Sequence, residues 1–318
     1  MPINTLEYAK IFSQALDKQM LAGATSGWME ANAGQVKYSG GNEVKIPMIS
    51  TNGLGDYDRD EGFKRGAVTL SYQTMTLTQD RGRTFHLDAM DVDETNFVAA
   101  AGNVMGEFQR LQVIPEIDAY RYSRIAALAA TKSRTSAQDV TAENVLSLLL
   151  DDIAKIRDEI GGTAELVITM SGLVTPLLDM SKEIQKKLDV GDFKKGEVSM
   201  KVKSLDGCPI LPVPSARMKT AYTFYDGETT GQEAGGFKPA EGAKAINWII
   251  MPRNVPIAVS KTDVTRIFDP MTNQQAHAWK IDYRKYHDLW IPANKFNAIM
   301  VNMEKAAQAA PPKQEGES

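Results

Sequence analysis

The sequence predicts an α+β protein, and three observations predict it. Residues 36–87 read as an extended ribbon, with a rising arm Val44-Lys45-Ile46-Pro47-Met48 and a descending arm from about Ala67 to Leu87. A 3.6-residue apolar period then runs from about Asp93 to Lys132. Finally, residues 140–262 alternate helical and strand patterns, and 264–303 are mostly extended. A two-stranded ribbon is marginal alone in water, because it covers too little apolar surface to offset the entropy of ordering it. A chain that encodes one is expected to lay it on another molecule, which points to assembly rather than catalysis.

The elements follow in order. The arm at 1–35 opens with an amphipathic helix over 4–20, where Asn4 and Glu7 have capping-box spacing and Leu6, Phe12, Leu16 and Met20 share a face. Residues 22–42 are rich in Gly, Ala, Asn and Ser and are expected to be irregular, wandering across the surface. On the descending arm, Val68, Leu70 and Tyr72 have one parity and Met75 and Leu77 the other. That change implies a bulge near Gln73 or burial that differs along the arm.

Between the arms lies a tip of Gly53, Gly55, Gly62 and Gly66 with Asp56, Asp58, Arg59, Asp60, Glu61, Lys64 and Arg65. The helical segment at 88–138 starts in acids (Asp88, Asp91, Asp93, Glu94) that suit a helix N-terminus. Pro115 is expected to kink it or to start a second segment. About 40 helical residues would span roughly 60 Å, longer than a typical domain is wide.

In the segment 139–262, Thr141 is expected to cap a helix carrying Val145, Leu149, Ile153 and Ile156 and closed by Gly161-Gly162. Leu166-Val167-Ile168 reads as a buried strand, Ser171 as the opening of a helix to about Leu188, and five further strands follow. The loop 226–242, with five glycines, is expected to be mobile or to touch a partner. The segment 263–304 carries alternating Trp279, Ile281 and Tyr283, then Ile299, Val301 and Met303, and 305–318 reads as a disordered tail.

Composition narrows function. Net charge is −4 with both signs interspersed, which advertises no sequence-specific nucleic-acid surface. One cysteine, Cys208, leaves no intrachain disulfide and reads as a small buried hydrophobe. No stretch approaches the about 20 apolar residues of a membrane span, and no secretion signal opens the chain.

His86, Asp88 and Asp91 look like metal ligands, but a strand exit and an acidic helix start explain them. His277 and His287 lack a third ligand. Ser171 follows a strand and precedes a helix, as a nucleophile would, yet Met170-Ser171-Gly172-Leu173 lacks the first glycine of the nucleophile-elbow motif. No phosphate-cradling loop is present, so no cofactor is expected.

The residues Val113-Ile114-Pro115-Glu116-Ile117-Asp118-Ala119-Tyr120, the run Leu205-Asp206-Gly207-Cys208-Pro209-Ile210 continuing to Ser215-Ala216-Arg217-Met218, and Tyr283-Arg284-Lys285-Tyr286-His287-Asp288 carry a resemblance. In these stretches, and in the order of its elements along nearly the whole chain, the protein resembles the major capsid proteins of tailed double-stranded DNA bacteriophages. Their fold is shared with encapsulin shells.

The resemblance implies an N-terminal arm, an extended loop, a spine helix, an axial α/β domain and a peripheral β-rich region. It implies hexamers and pentamers closing into an icosahedral shell around packaged double-stranded DNA, which is held non-specifically. A portal protein at one vertex and a decoration protein come with it. Because the chain begins Met1-Pro2-Ile3 without a long charged helical extension, a separate scaffolding protein, or none, is expected, with no large maturation cleavage.

The loop tip, residues Gly53, Gly55, Asp56, Asp58, Arg59, Asp60, Glu61, Lys64 and Arg65, would lie over a neighbouring subunit. The loop with Gly227, Glu228, Gly231, Glu233, Gly235 and Gly236 would converge near a capsomer axis. By analogy with members that cross-link, Lys64 is the candidate lysine, with Asn294 or Asn297 as acceptor. Two other readings stand beside it: a cellular encapsulin-type compartment with cargo, and a cytosolic α/β hydrolase using Ser171.

Overall fold

A computed structural model of the chain describes residues 23–60, 62–88, 104–162, 164–181, 188–195, 198–273 and 277–305. The expected helix at 4–20, Glu61, the first part of the long helix and the tail at 306–318 lie outside the described residues.

The core is a seven-stranded sheet. Its strands, in spatial order, are β5 (Thr135–Ala137), β15 (Met300–Met303), β12 (Ile246–Pro252), β6 (Leu166–Ser171), β9 (Cys208–Val213), β8 (Val198–Leu205) and β7 (Leu188–Lys195). β6 is buried at every position, as expected of a continuous apolar run covered on both faces.

The two-residue period of the strands sorts their side chains into two cores. Ile168, Trp248 and Ile250 meet Val145, Leu149, Ile153 and Ile156 of helix α2 (Val145–Ile160) and Leu178 of α3 (Thr175–Met180). Val167, Ile249, Met251 and Val301 meet Tyr122, Ile125, Ala126 and Ala129 of α1 (Ile114–Thr131). Trp248 satisfies its indole N–H on Asp152 at 3.0 Å, so the ring is buried without an orphaned donor.

The expected long helix is present over 104–131, roughly 40 Å, with its turn at Gln109–Val113 widened to π geometry. Pro115 therefore starts no separate segment, and the helix is distorted locally at the wide turn just before it. The wide turn just before it relieves the clash between the ring and the preceding carbonyls. The start of α2 differs too: Asn144 precedes it, and the Asn144 carboxamide oxygen accepts the Thr141 N–H at 2.8 Å. Gly161, at φ +90°, ends α2 as expected.

Three differences from the sequence reading matter for function. The segment expected to wander over the surface is threaded into the core: Ala24, Ser26, Trp28 and Met29 are buried, and residues Gly27–Gln35 form a 3₁₀ turn. Its anchor is Asp118 on α1. The N–H and hydroxyl of Thr25 donate to Asp118 Oδ2 at 3.0 and 2.7 Å, and those of Ser26 donate to Oδ1 at 2.9 and 2.6 Å.

The descending arm is two strands. β3 (Val68–Thr76) stays with the ribbon, while β4 (Gln79–Asp88) joins a second sheet of order β13 (Ile257–Phe268), β14 (Ala278–Trp290), β4. Buried Leu77, and Thr78 donating to Asp288 at 2.9 Å, mark the switch. Finally, β15 closes the seven-stranded sheet between β12 and β5 instead of extending the 263–304 edge, because its side chains are buried on both faces.

Candidate assembly interface

The ribbon pairs β2 (Glu43–Thr51) with β3 in one unbroken register, from Glu43 opposite Thr76 to Thr51 opposite Val68. Directly opposed residues share a face. On one face Val44, Ile46 and Met75 pack with Leu77, Ile257, Val259 and Trp290. On the other, the opposed pairs Ile49 and Leu70, Thr51 and Val68, and Pro47 and Tyr72 are exposed, with Val68 at 73 %. The parity change along the arm is thus a change of burial, with no bulge.

At about 3.3 Å per residue, the five steps from Ile46 to Thr51 carry the ribbon roughly 17 Å beyond its last buried residue. An apolar strip standing clear of its own body is the kind of surface that marks interaction sites.

The tip turns through Asp58 and Gly62, which exchange backbone hydrogen bonds at 3.2 and 2.8 Å. The Asp60 N–H donates to the Asp58 carboxylate at 2.7 Å, and Gly62 sits at φ +79°, where a side chain would be strained. Gly53, Gly55, Asp56, Arg59, Asp60, Lys64 and Arg65 are all exposed here. The charge-based reading missed the aromatic part of the tip. Tyr57 and Phe63 stack with ring centroids 5.0 Å apart, Phe63 is 88 % exposed and Leu54 fully so. Three large apolar side chains inside a glycine- and charge-rich loop were the available signal.

The loop at 226–242, expected to be mobile or to touch a partner, is held by hydrogen bonds to its own chain in this structure. Strands β10 (Tyr222–Phe224) and β11 (Phe237–Pro239) form a hairpin whose connection folds onto its own chain. The Asp226 carboxylate accepts the Glu228 and Thr229 N–H groups at 2.9 Å each and the Thr229 hydroxyl at 2.5 Å. These bonds, the hydroxyl's first, hold its pKa down to about 2. The Glu233 carboxylate accepts the Gly231 N–H at 2.9 Å, and Glu228 is exposed.

Gly227, Gly231, Gly235 and Gly236 all have positive φ, the backbone geometry that lets so short a connection fold back. Arg83 of β4 donates to the Glu233 carbonyl at 3.2 Å and Arg81 to the Gly236 carbonyl at 3.4 Å. Arg81 is itself paired with Glu116 on α1. Beneath this lid lies a cavity of about 560 Å³, walled by β4, the start of α1 and the loop.

Asn294 and Asn297 lie on the 3₁₀ turn Ala293–Ala298, both exposed. Asn297 donates to Glu159 at 3.1 Å, and its carbonyl accepts from Arg134. Lys64 belongs to the ribbon tip. Ser171 does not open a helix to Leu188 as expected. It is the buried last residue of β6, its carbonyl accepts the Thr175 hydroxyl at 3.2 Å, α3 spans only Thr175–Met180, and Leu188 begins β7. The three histidines belong to the other sheet or its flank. Cys208 is buried, and burial pushes its thiol pKa up. Among the described residues no group of three or more His, Cys, Asp or Glu gathers to hold a metal, and no helix is long and apolar enough to cross a membrane.

No protein-family model and no curated protein matches the chain. Solved structures do. The asymmetric unit of the bacteriophage PhiM1 mature capsid aligns with a TM-score of 0.54 at 14 % identity, covering 84 % of this chain and 83 % of that one. A structure from Gordonia phage Cozz aligns at 0.53 and 13 %, covering 83 % and 81 %. The capsid structure of cyanophage P-SCSP1u aligns at 0.51 and 9 %, covering 85 % and 86 %.

The chain has the phage capsid fold. At these identities the likeness resides in the arrangement of elements, and it extends over most of both chains. In this chain the capsid fold comprises the ribbon, the helix of 104–131, the seven-stranded sheet and the β13–β14–β4 sheet.

Proposed function

We propose that this protein is the major capsid protein of a tailed phage, a structural subunit without catalytic function that assembles with copies of itself. The observation that carries the reading is the ribbon, whose outer face exposes Ile49, Leu70, Val68 and Tyr72 although its chain has ample core elsewhere. A ribbon of this kind gains its stability from a neighbour's surface. The capsid fold supplies a context in which every subunit has such a neighbour.

In the finer reading, hexamers and pentamers close into an icosahedral shell around double-stranded DNA, with a portal protein at one vertex. Assembly takes place in the host cytoplasm with a separate scaffolding protein or with none, the outer surface is open to a decoration protein, and the protein ends in the virion. The tip residues from Gly53 to Arg65 are proposed subunit contacts. The loop from Gly227 to Gly236 is proposed to face its neighbours at the capsomer axis with the surface that its own β4 leaves open. Lys64 with Asn294 or Asn297 is the proposed pair for any covalent link.

Electron microscopy of the protein, purified and co-expressed with its candidate scaffold, tests the reading. Shells, tubes or capsomer rings are expected; a strictly monomeric protein at high concentration would overturn it. Deleting Asn52 to Arg65 and joining the arms by a short turn is expected to leave a folded subunit that assembles poorly.

A further inference from the structure

The cavity under the β10–β11 loop has an aromatic floor and, among the described residues, one rim cation that meets no carboxylate. Phe85 and Phe108 meet edge to face at 4.9 Å, Phe108 and Tyr283 at 5.9 Å, and Val113 and Ile117 complete the apolar wall. Its volume of about 560 Å³ falls in the roughly 300–1,000 Å³ range of sites that enclose apolar groups.

Most rim charges are already matched. Arg81 is paired with Glu116, Lys285 with Asp263 at 2.5 Å and Asp80 with Arg284 at 2.5 Å, while Asp226 is turned into its own loop. Arg83 is the exception among the described residues. Its guanidinium meets the Glu233 carbonyl at 3.2 and 3.3 Å and no carboxylate.

The ribbon tip presents the complementary set. Phe63 is 88 % exposed with Tyr57 stacked beside it, and Asp56 and Asp60 lie within seven residues of Phe63 on the same exposed loop. We propose that the cavity between β4, the start of α1 and the β10–β11 loop receives the ribbon tip of a second copy of this chain, with Phe63 as the inserted ring and Arg83 facing Asp56 or Asp60.

Aromatic side chains inserted in a desolvated pocket dominate protein interfaces, while a charge pair at the rim sets register more than affinity. Such a contact joins two different surfaces of identical chains, so it propagates around a ring and closes with the symmetry. It rests on the reading of the chain as a shell subunit and names the receiving surface for its loop tip.

The test is disulfide trapping in assembled full-length protein that keeps Phe63 and carries Lys64→Cys, beside it on the exposed tip, together with Gln112→Cys, an exposed residue of the cavity wall. The native Cys208 is buried and stays in place, and each single variant serves as control. Oxidation is expected to give a ladder of covalent oligomers from particles of the double variant, and none from the single variants or from dissociated subunits. In parallel, Phe63→Ala and Arg83→Glu are each expected to lower particle yield at least tenfold, with Asp60→Arg restoring yield to Arg83→Glu when Asp60 is the partner and Asp56→Arg when Asp56 is.

Particles that form at wild-type yield in Phe63→Ala and give no ladder in the double variant would overturn the proposal while leaving the shell reading intact. Wild-type protein that forms no particles would remove both.

Discussion

Residues 25–30 and residues 52–67 are both short, polar and irregular in sequence, and the structure treats them in opposite ways. The first is drawn into the core, where Asp118 receives four hydrogen bonds from Thr25 and Ser26 and an ion pair from Arg217 at 3.0 Å. Arg121, fully buried, pairs with Glu30 and donates to Ser26. The second stands outside, with Phe63 and Leu54 facing solvent. What separates them is where unmatched groups are left. Around Asp118 both carboxylate oxygens are matched inside one chain, so that region specifies the subunit. On the outer face of the ribbon the apolar groups are unmatched within the chain, and that region is the proposed contact with a neighbour.

Substitutions in the two regions should therefore act on different observables. Asp118→Ala is expected to cost about 3–5 kcal/mol of subunit stability, because it strands Arg217, the two buried donors of Ser26 and the two half-buried donors of Thr25; urea unfolding measures it. A loss below about 1 kcal/mol would mean that the hub is ornamental.

Acid should weaken the same interior through His287. Burial first, then the nearby cations Arg121, Lys285 and Arg81, hold its imidazole neutral, with its pKa well below 6.5. It packs edge to face on Tyr120 at 5.6 Å, beside Asp288. The unfolded chain binds this proton near pH 6.5 and the folded chain does not, so the stability contribution is full above that pH and is lost as pH falls below it. Unfolding curves are expected to show a slope from this group that steepens as pH falls from 7 to 5, from about 0.3 toward about 1.3 kcal/mol per pH unit, and that is absent in His287→Gln. An unchanged slope in the variant would assign the effect elsewhere.

Gly82→Ala comes next. A Cβ there would lie 2.7 Å from the Tyr283 carbonyl and 3.5 Å from the Arg284 Cα, both backbone. A loss of about 1–3 kcal/mol is expected in thermal or urea denaturation.

The smallest effect on the subunit should come from the ribbon. Ile49→Ser with Leu70→Ser is expected to change its stability by less than about 0.5 kcal/mol, while sedimentation and microscopy show assembly abolished. If that pair unfolded the subunit, the contrast between the two regions would collapse.

The parts of the fold that were legible in the sequence are those written in local period. The all-apolar Leu166-Val167-Ile168 run became β6, the Val145 to Ile156 series became the buried face of α2, and Gly161 ended it. The ribbon was legible because its two arms alternate around a glycine-rich tip. Its register was not, and neither was the departure of β4 at Leu77 and Thr78, because the partner that draws it away is Asp288, 210 residues distant.

The candidate site was half legible. Charge marked the tip, but Tyr57 and Phe63 count as ordinary loop residues until their exposure is known. The fate of the 226–236 loop was illegible, since glycines permit a loop to move or to fold back with equal ease. Arg81 and Arg83, from a strand about 150 residues away, chose the second.

By itself, then, the sequence determined the strongly periodic elements, such as β6, α2 and the arms of the ribbon, because backbone geometry and apolar period act over a few residues. Only the tertiary structure decided which apolar face of that ribbon is left bare, that Thr25 to Met29 is core, and that a cavity lies under the hairpin loop. Those outcomes depend on hydrogen bonds and packing between residues 90 to 230 positions apart, and no local pattern encodes such pairings.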